Sequence, residues 1–443
     1  MLKFLSLSPK FTKERIMSLH GAIHYLASVC TFLVSSLCVF SQNDSIEFDK
    51  RNSRTAFGGV PICSYDADIG LRYGAVVNFF RYNDSVTETY SENVFLRIFN
   101  TTKKSFQIQS LYETDNLFKK SKTFIEATYI NDKSYDFYGY NGNQSNYNPD
   151  FENPQHPSFL HENFYSIHRK FIRFRFDYQR YLTSPHLRLL LGAALNNTEI
   201  KRSEGDSSLS ALYNQFEVIA DEELKGGLVN YFTLGIVYEK RNNQNYCFDG
   251  KWFESFLILS PAVINAESFS KFITTFRSYD RILKSPFVLM TRASVQLRTS
   301  GYIPSYLKST YFDTRLNQDG LGGAFNLRGF SRNRITSDGF GLLNLEVRRN
   351  VYQTKLKKTI VDCDLSLFSD NALILQEHPI NKETISMHDQ LKHFNLNYQK
   401  HYNSVGFGAY FILNKNNVIS VNYGIPLKTN SKGALYIGSS FLF

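Results

Sequence analysis

The 443 residues predict an all-β fold, a transmembrane antiparallel β-barrel of about sixteen strands. Three observations predict it. From Gly70 onward, blocks of roughly ten residues alternate apolar with small or polar side chains and then break at a turn, as strands do between lipid and a wet lumen. The chain carries 28 Tyr and 39 Phe against a single Trp, a composition that suits strands and the aromatic girdles of a membrane interface. It ends on Leu435, Ile437, Ser439, Phe441 and Phe443, one apolar face closed by an aromatic residue. A slightly negative mean hydropathy excludes nothing, because alternation dilutes the apolar residues of a barrel.

In chain order, the first element is a leader. Lys10, Lys13 and Arg15 precede an apolar run from Ala22 to Phe40, and Val39-Phe40-Ser41 offers a cut before Gln42, so residues 1–41 read as a secretory signal peptide. Residues 42–69 then form a short N-terminal periplasmic segment, too short to bury a core of its own. The barrel domain is expected over 70–443. Its strands are placed at 70–81, 91–101, 104–113, 121–130, 164–181, 186–197, 228–240 and 251–262, then at 269–283, 286–299, 306–314, 339–350, 358–370, 402–413, 417–427 and 433–443. Alternation is clearest late in the chain, where Val405, Phe407, Ala409, Phe411 and Leu413 share one face, followed by Ile419, Val421, Tyr423, Ile425 and Leu427.

Counting strands assigns the long connections to sides. Residues 131–162, rich in Asn, Tyr and Gly without a period, read as an irregular periplasmic loop. In 208–224, Leu209, Leu212, Tyr213, Phe216 and Leu224 recur at helical spacing ahead of Gly226-Gly227, predicting a short amphipathic periplasmic helix. By the same parity 320–338 and 371–400 are external.

Charge and cysteines bound the function. The formal charge of +10 leaves about +7 once Lys3, Lys10, Lys13 and Arg15 against Glu14 are removed with the leader, a modest excess carried mostly by a solvated surface. Cys63, Cys247 and Cys363 are too few and too far apart for a disulfide framework or a CxxC metal site. The histidines, among them His156, His161, His168 and His378, show no ligand spacing, and neither a G-x-S-x-G elbow nor a phosphate loop occurs. No catalytic residue, metal, cofactor or nucleic-acid partner is expected.

The motif that carries function is Leu327-Arg328-Gly329-Phe330, directly preceded by Gly322-Gly323-Ala324-Phe325-Asn326. Gly301-Tyr302-Ile303-Pro304-Ser305-Tyr306 lies upstream of it, Glu346 and Arg348 form an E-x-R after it, and Phe368-Ser369-Asp370 begins an F-x-D run in which Ala372 replaces the usual Gly. Tyr238-Glu239-Lys240-Arg241-Asn242 and Phe137-Tyr138-Gly139-Tyr140-Asn141-Gly142-Asn143 complete the set. Over residues 60–443 these runs resemble the BamA-like bacterial surface antigen superfamily, which includes the two-partner-secretion barrels, as a member without POTRA (polypeptide-transport-associated) domains.

The resemblance implies that the external loop bearing Arg328 folds back into the lumen and pairs with an acidic residue on the wall, since a poorly solvated guanidinium is costly alone. Strand 358–370 offers Asp362, Asp364 and Asp370 on one face and Val361, Cys363, Leu365 and Leu367 on the other, so the carboxylates face inward. Asp370 is the expected partner by family position, with Glu346 second and Asp364 third. Phe441 and Phe443 resemble the β-signal by which the barrel assembly machinery recognises its clients. Arg72, Arg97, Arg173, Arg175, Arg292, Arg298 and Arg348 fall in lumen phase and would line a basic interior. Glycines at 70, 74, 433 and 438 mark the junction of first and last strands as a weak seam.

The implied function is protein insertion into, or translocation across, the outer membrane of a Gram-negative bacterium. The alternative is a passive pore or structural barrel. Outer-membrane lipid and lipopolysaccharide surround it, and a polypeptide substrate or periplasmic partner would complete it.

Overall fold

A computed structural model describes residues 55–438 except 83–89, 202–206, 244–245, 264–266, 283–284, 316–317, 357–358, 396, 415–416 and 429–431. The leader, residues 42–54, Phe441 and Phe443 lie outside the described residues. Sixteen antiparallel strands close into a single barrel in which each strand pairs with its neighbours in sequence. They are β1 (Thr55–Asp66), β2 (Gly70–Tyr82), β3 (Tyr90–Thr101), β4 (Phe106–Thr114), β5 (Ser121–Asp136), β6 (Ser166–Tyr181), β7 (Leu187–Lys201) and β8 (Gly226–Arg241). There follow β9 (Gly250–Ser260), β10 (Phe269–Arg281), β11 (Phe287–Gly301), β12 (Gly339–Leu356), β13 (Thr359–Gln376), β14 (His401–Leu413), β15 (Asn417–Pro426) and β16 (Ala434–Gly438).

Two strand assignments change, and they compensate. Residues 55–66, expected in a periplasmic segment, form β1 and pair along their whole length with β2, from Thr55 against Arg81 to Asp66 against Gly70. Residues 306–314, expected as a strand of the wall, instead lie inside the lumen. Their reading as a strand fails because Leu307, Lys308, Tyr311, Phe312, Asp313 and Thr314 are all buried, leaving no outward face. The segment makes a helical turn at Ser305–Lys308 and a two-residue ladder of Thr310–Tyr311 with Gln318–Asp319.

Adding a strand at the start reverses the parity of everything before residue 306. The segments 137–165 and 207–225 therefore lie at the same end of the barrel as the β1–β2 turn, and share this loop end with 302–338 and 377–400. The expected periplasmic helix is a seven-residue helix, Leu209–Gln215, with Ser208 as its N-cap, followed by a short 3-10 turn at Asp221–Lys225. Its apolar side is buried against other loops. Leu209, Tyr213, Phe216 and Ile219 pack with Tyr140, Phe151 and Phe164 from 137–165 and with Ile385 and Phe394 from 377–400, roofing the loop end of the barrel.

Alternation places two different surfaces on one wall. On β6, Ile172, Phe174 and Phe176 are exposed outward while Arg173, Arg175 and Asp177 between them are buried inward. On β13, Leu365 and Leu367 point out and Asp362, Asp364, Phe368 and Asp370 point in. An apolar exterior over a charged interior is stable only against lipid, where the backbone of a closed barrel is fully paired.

The lumen is packed rather than open. Ile303, Leu307 and Phe312 sit against Leu190, Val229, Tyr231, Trp252, Phe256 and Ile258 of the wall. Further along, Tyr311, Leu321, Leu327, Phe330 and Ile335 pack on Phe340, Leu342, Ala372, Ile374 and Tyr402. A cavity of about 10 Å³ beside Arg175, Asp177, Tyr231 and Asp313 has room for one water.

Candidate functional site: an arginine latch inside the barrel

The in-folded segment 302–338 grips the wall at three places, each built around an arginine. At the centre is Arg328. Its Nε donates to Asp370 Oδ2 at 2.8 Å, one terminal nitrogen donates to Asp370 Oδ1 at 3.0 Å, and the other to Glu346 Oε2 at 2.9 Å. Its backbone N–H also reaches Asp370 Oδ2, at 3.1 Å, so one carboxylate holds main chain and side chain together. The guanidinium lies 3.3 Å from the Phe368 ring centroid, stacked between the two acidic strands.

Alternation explains why these groups meet. Glu346 and Asn344 are lumen-facing on β12, Phe368 and Asp370 are lumen-facing on β13, and Asn344 stands directly opposite Asp370. Asn344 Nδ2 donates to Asp370 Oδ1 at 2.8 Å and to the Asn326 carbonyl at 2.6 Å, tying the wall to the loop just ahead of Arg328. Glu346 Oε1 accepts from Arg348 at 2.9 Å and from the Tyr410 hydroxyl at 2.8 Å. Two arginines thus face two carboxylates, and neighbouring amides and a phenol occupy the remaining lone pairs, the condition under which a buried charge cluster is tolerated.

Gly329 follows with φ of +97° and its Cα against the Gly424 backbone, where an added Cβ would stand 2.9 Å from a carbonyl carbon. Both features require glycine. Its N–H donates to the Tyr436 hydroxyl of β16 at 3.1 Å, and the same hydroxyl donates to the Phe330 carbonyl at 3.3 Å. Phe330 meets Tyr402 edge to face at 5.8 Å.

Asp364 is not a partner of Arg328. It accepts from the Tyr246 hydroxyl at 2.9 Å and from Asn350 at 2.9 Å, because it lies six residues nearer the other end of β13.

Arg332 forms a second grip that the sequence did not single out. Its side chain donates to Asp136 at 2.8 Å and Asp132 at 3.2 Å on β5, while its backbone N–H donates to Asp68 Oδ2 in the β1–β2 turn at 2.9 Å. Within five residues the chain passes from the last strand to the first turn. The described pairs that close the barrel, Tyr65 with Ile437 and Asp66 with Tyr436, lie beneath this crossing. The seam therefore joins β1 to β16. Gly70 and Gly74 belong to the β1–β2 and β2–β3 ladders instead.

The third grip holds the start of the segment. Arg277 donates to Glu254 at 3.1 Å and to Asp313, Thr314 bonds Glu254, and Arg175 donates to the carbonyls of Asp313 and Thr314 at 3.0 and 3.2 Å. The basic interior expected from lumen-phase arginines is consequently offset: Arg173 pairs with Glu126 at 2.6 Å, Arg188 with Glu239 at 2.6 Å and Arg298 with Asp338 at 3.1 Å. Glu126 and Glu239 sit on neighbouring strands and Asp338 at the end of the in-folded segment, where a one-strand reading does not see them.

The roof is tied to the loop by polar contacts. Lys308 Nζ donates to Asp338 Oδ1 at 2.6 Å and to His378 Nδ1 at 3.0 Å, and Asn141 exchanges bonds with the His378 backbone at 2.7 and 2.8 Å. Burial holds the His378 imidazole below its ordinary pKa, and the nearby Lys308 adds to the effect against Asp338.

No protein-family model matches the sequence, and no curated protein matches it either. Solved structures do. BamA from Haemophilus ducreyi lacking POTRA domains 1–3 aligns with a TM-score of 0.52 and 13% identity, covering 88% of this chain and 70% of that one. CdiB from Escherichia coli has a TM-score of 0.49 and 10% identity over 87% of this chain and 62% of its own, and CdiB from Acinetobacter baumannii 0.47 and 10% over 87% and 60%. With its sixteen closed antiparallel strands and its match to BamA over most of the chain, this protein has the fold of the BamA-like outer-membrane barrels.

Proposed function

We propose that this barrel acts in protein insertion into, or translocation across, the outer membrane of a Gram-negative bacterium, with its long loops outside and its short turns in the periplasm. The observation that carries the reading is the latch. Arg328 is buried against Asp370 and Glu346 while Gly329 and Phe330 bond Tyr436 of the closing strand, so loop position and barrel closure are set by one small cluster. A loop docked through discrete charge clusters can switch between docked and released arrangements, a property that a barrel which only spans the membrane does not need. The filled lumen argues against a passive pore, because the segment from Ile303 to Ile335 packs against wall residues of β7–β9 and β12–β14.

The polypeptide substrate would meet the barrel at the seam or through the lumen once the loop is released. A photo-reactive residue at Tyr65 tests this in native membranes. Polypeptide adducts that weaken in Arg328→Ala support the reading; wild-type protein that captures no polypeptide at Tyr65 or at the lumen-facing Phe330 contradicts it.

A further inference from the structure

Resting on that placement in the outer membrane, we infer that the loop-end rim of β5–β7 is a binding site for a phosphorylated lipid headgroup, of the doubly phosphorylated glycolipid class. Three outward-facing lysines converge there. Lys201 on β7 is the cross-strand partner of His168 on β6, and Lys170 lies two residues along β6 on the same face. Lys133 projects from β5 beside the bulge between Asp132 and Tyr135, exposed on that exterior. His168 Nε2 is bonded to Asn131 Oδ1 at 2.8 Å, which fixes the imidazole among the three amines.

One carboxylate, Glu199, stands in the cluster, 3.5 Å from Lys170 and 3.9 Å from Lys201. Three cations against one anion leave an excess of two positive charges, which attracts phosphate monoesters, each carrying about −1.5 to −2 at neutral pH.

The height of the cluster selects a lipid over a soluble anion. The next outward row toward the membrane pairs Tyr129 with Ile172 and Asn197, the row after it Ala127 with Phe174 and Leu195, and the next Ile125 with Phe176 and Ala193. Tyr129 meets Phe106 at a tilt, with ring centroids 6.2 Å apart, an aromatic pair at the edge of the apolar belt. The amines therefore sit one row beyond the acyl-chain surface, at headgroup level and on the side of the long loops. An acyl chain running down Ile172, Phe174 and Phe176 would bring its phosphates to Lys133, Lys170 and Lys201.

Two other strand pairs supply a contrast. While the exposed Lys103, Lys104, Lys400 and Lys428 lie in turns of the same end away from this cluster, the corresponding outward positions are Ser270, Thr299 and Ser300 on β10–β11, bonded to one another, and Asn371 and Asn403 on β13–β14. These groups present hydroxyls and amides where β5–β7 presents three amines.

The test uses the full chain folded into vesicles of zwitterionic phosphatidylcholine doped with lipid A, extracted in mild detergent and weighed by native mass spectrometry. Wild-type protein should retain one diphosphorylated lipid A and lose it when the probe is enzymatically dephosphorylated. Each lysine contributes about fivefold in retention, so Lys133→Gln/Lys170→Gln/Lys201→Gln should lower it by about a hundredfold, while Ser270→Gln/Thr299→Gln should leave it unchanged. Equal retention by the triple variant, equal retention of the dephosphorylated probe, or displacement by millimolar inorganic phosphate would each overturn the proposal. A chain that fails to enter vesicles at all would instead overturn the membrane reading on which it rests.

Discussion

Arg328 brings one cation to a wall that offers two carboxylates, and its energetics depend on that count. Removing the guanidinium leaves Asp370 and Glu346 facing Arg348 alone, an uncompensated buried charge that costs about 3–5 kcal/mol. Arg328→Ala should therefore lower the denaturant midpoint of the folded barrel, and combination with Asp370→Ala should cost less than the sum of the two. Because Asp364 serves Tyr246 and Asn350, the combination Arg328→Ala/Asp364→Ala should be additive; coupling there with additivity at Asp370 would reverse the assignment. Gly329→Ala should undock the loop as well, since its φ of +97° and the Gly424 backbone leave a Cβ no place. Arg328 and Asp370 were legible in the sequence because a family motif and strand alternation pointed at the same two residues. Arg332 was not, because its partners Asp132, Asp136 and Asp68 come from the opposite wall and from a turn assigned to another segment. Charge pairing across a barrel leaves no local pattern in the chain.

Two elements depend on these residues, the seam and the roof. Arg328 to Arg332 straddles the closure of β1 on β16, holding Tyr436 on one side and Asp68 on the other. Arg332→Ala should loosen the seam without unfolding the barrel. Spin labels at Tyr65 and Ile437, a cross-strand pair, would show a broadened distance distribution in the variant; an unchanged narrow distribution would show that the loop does not hold the seam. The roof should respond to pH. His393 is packed among Phe151, Phe164 and Phe216, with ring centroids 5.8 to 6.2 Å away, and burial pushes its pKa down to about 4, with Lys392 adding to the effect. An opened roof would titrate His393 near its ordinary value of about 6.5. The open form then binds the proton first, so closure is fully stabilised above pH ~6.5 and weakens as pH falls toward 4. Hydrogen exchange of 137–165, 209–225 and 377–400 should accelerate at pH 4.5 relative to the wall strands, and His393→Phe should reduce the difference. The roof was illegible for a simple reason. Missing β1 flipped the parity of 137–165 and 207–225 but not of 377–400, and the helical spacing of Leu209, Tyr213 and Phe216 is the same on either side of a membrane.

At the scale of the whole molecule, sixteen strands were legible because alternation survives in every wall strand from β2 onward, although β1 was missed and 306–314 stood in its place. Residues 55–66 escaped because Gly58, Gly59 and Pro61 interrupt the apolar rhythm, while Thr310 and Tyr311 mimic a strand inside the lumen. The observed topology is that of a barrel closed at its loop end by an aromatic roof and filled by one segment held at three arginines. On the proposed reading this segment is a releasable plug. Single-channel recording in planar bilayers tests it most directly, comparing wild-type protein, Arg328→Ala/Arg332→Ala and a deletion of residues 322–334. The wild-type barrel should be silent apart from brief openings, the double variant should open frequently, and the deletion should conduct steadily. A wild-type barrel that conducts steadily, with the same conductance in all three proteins, would contradict that reading.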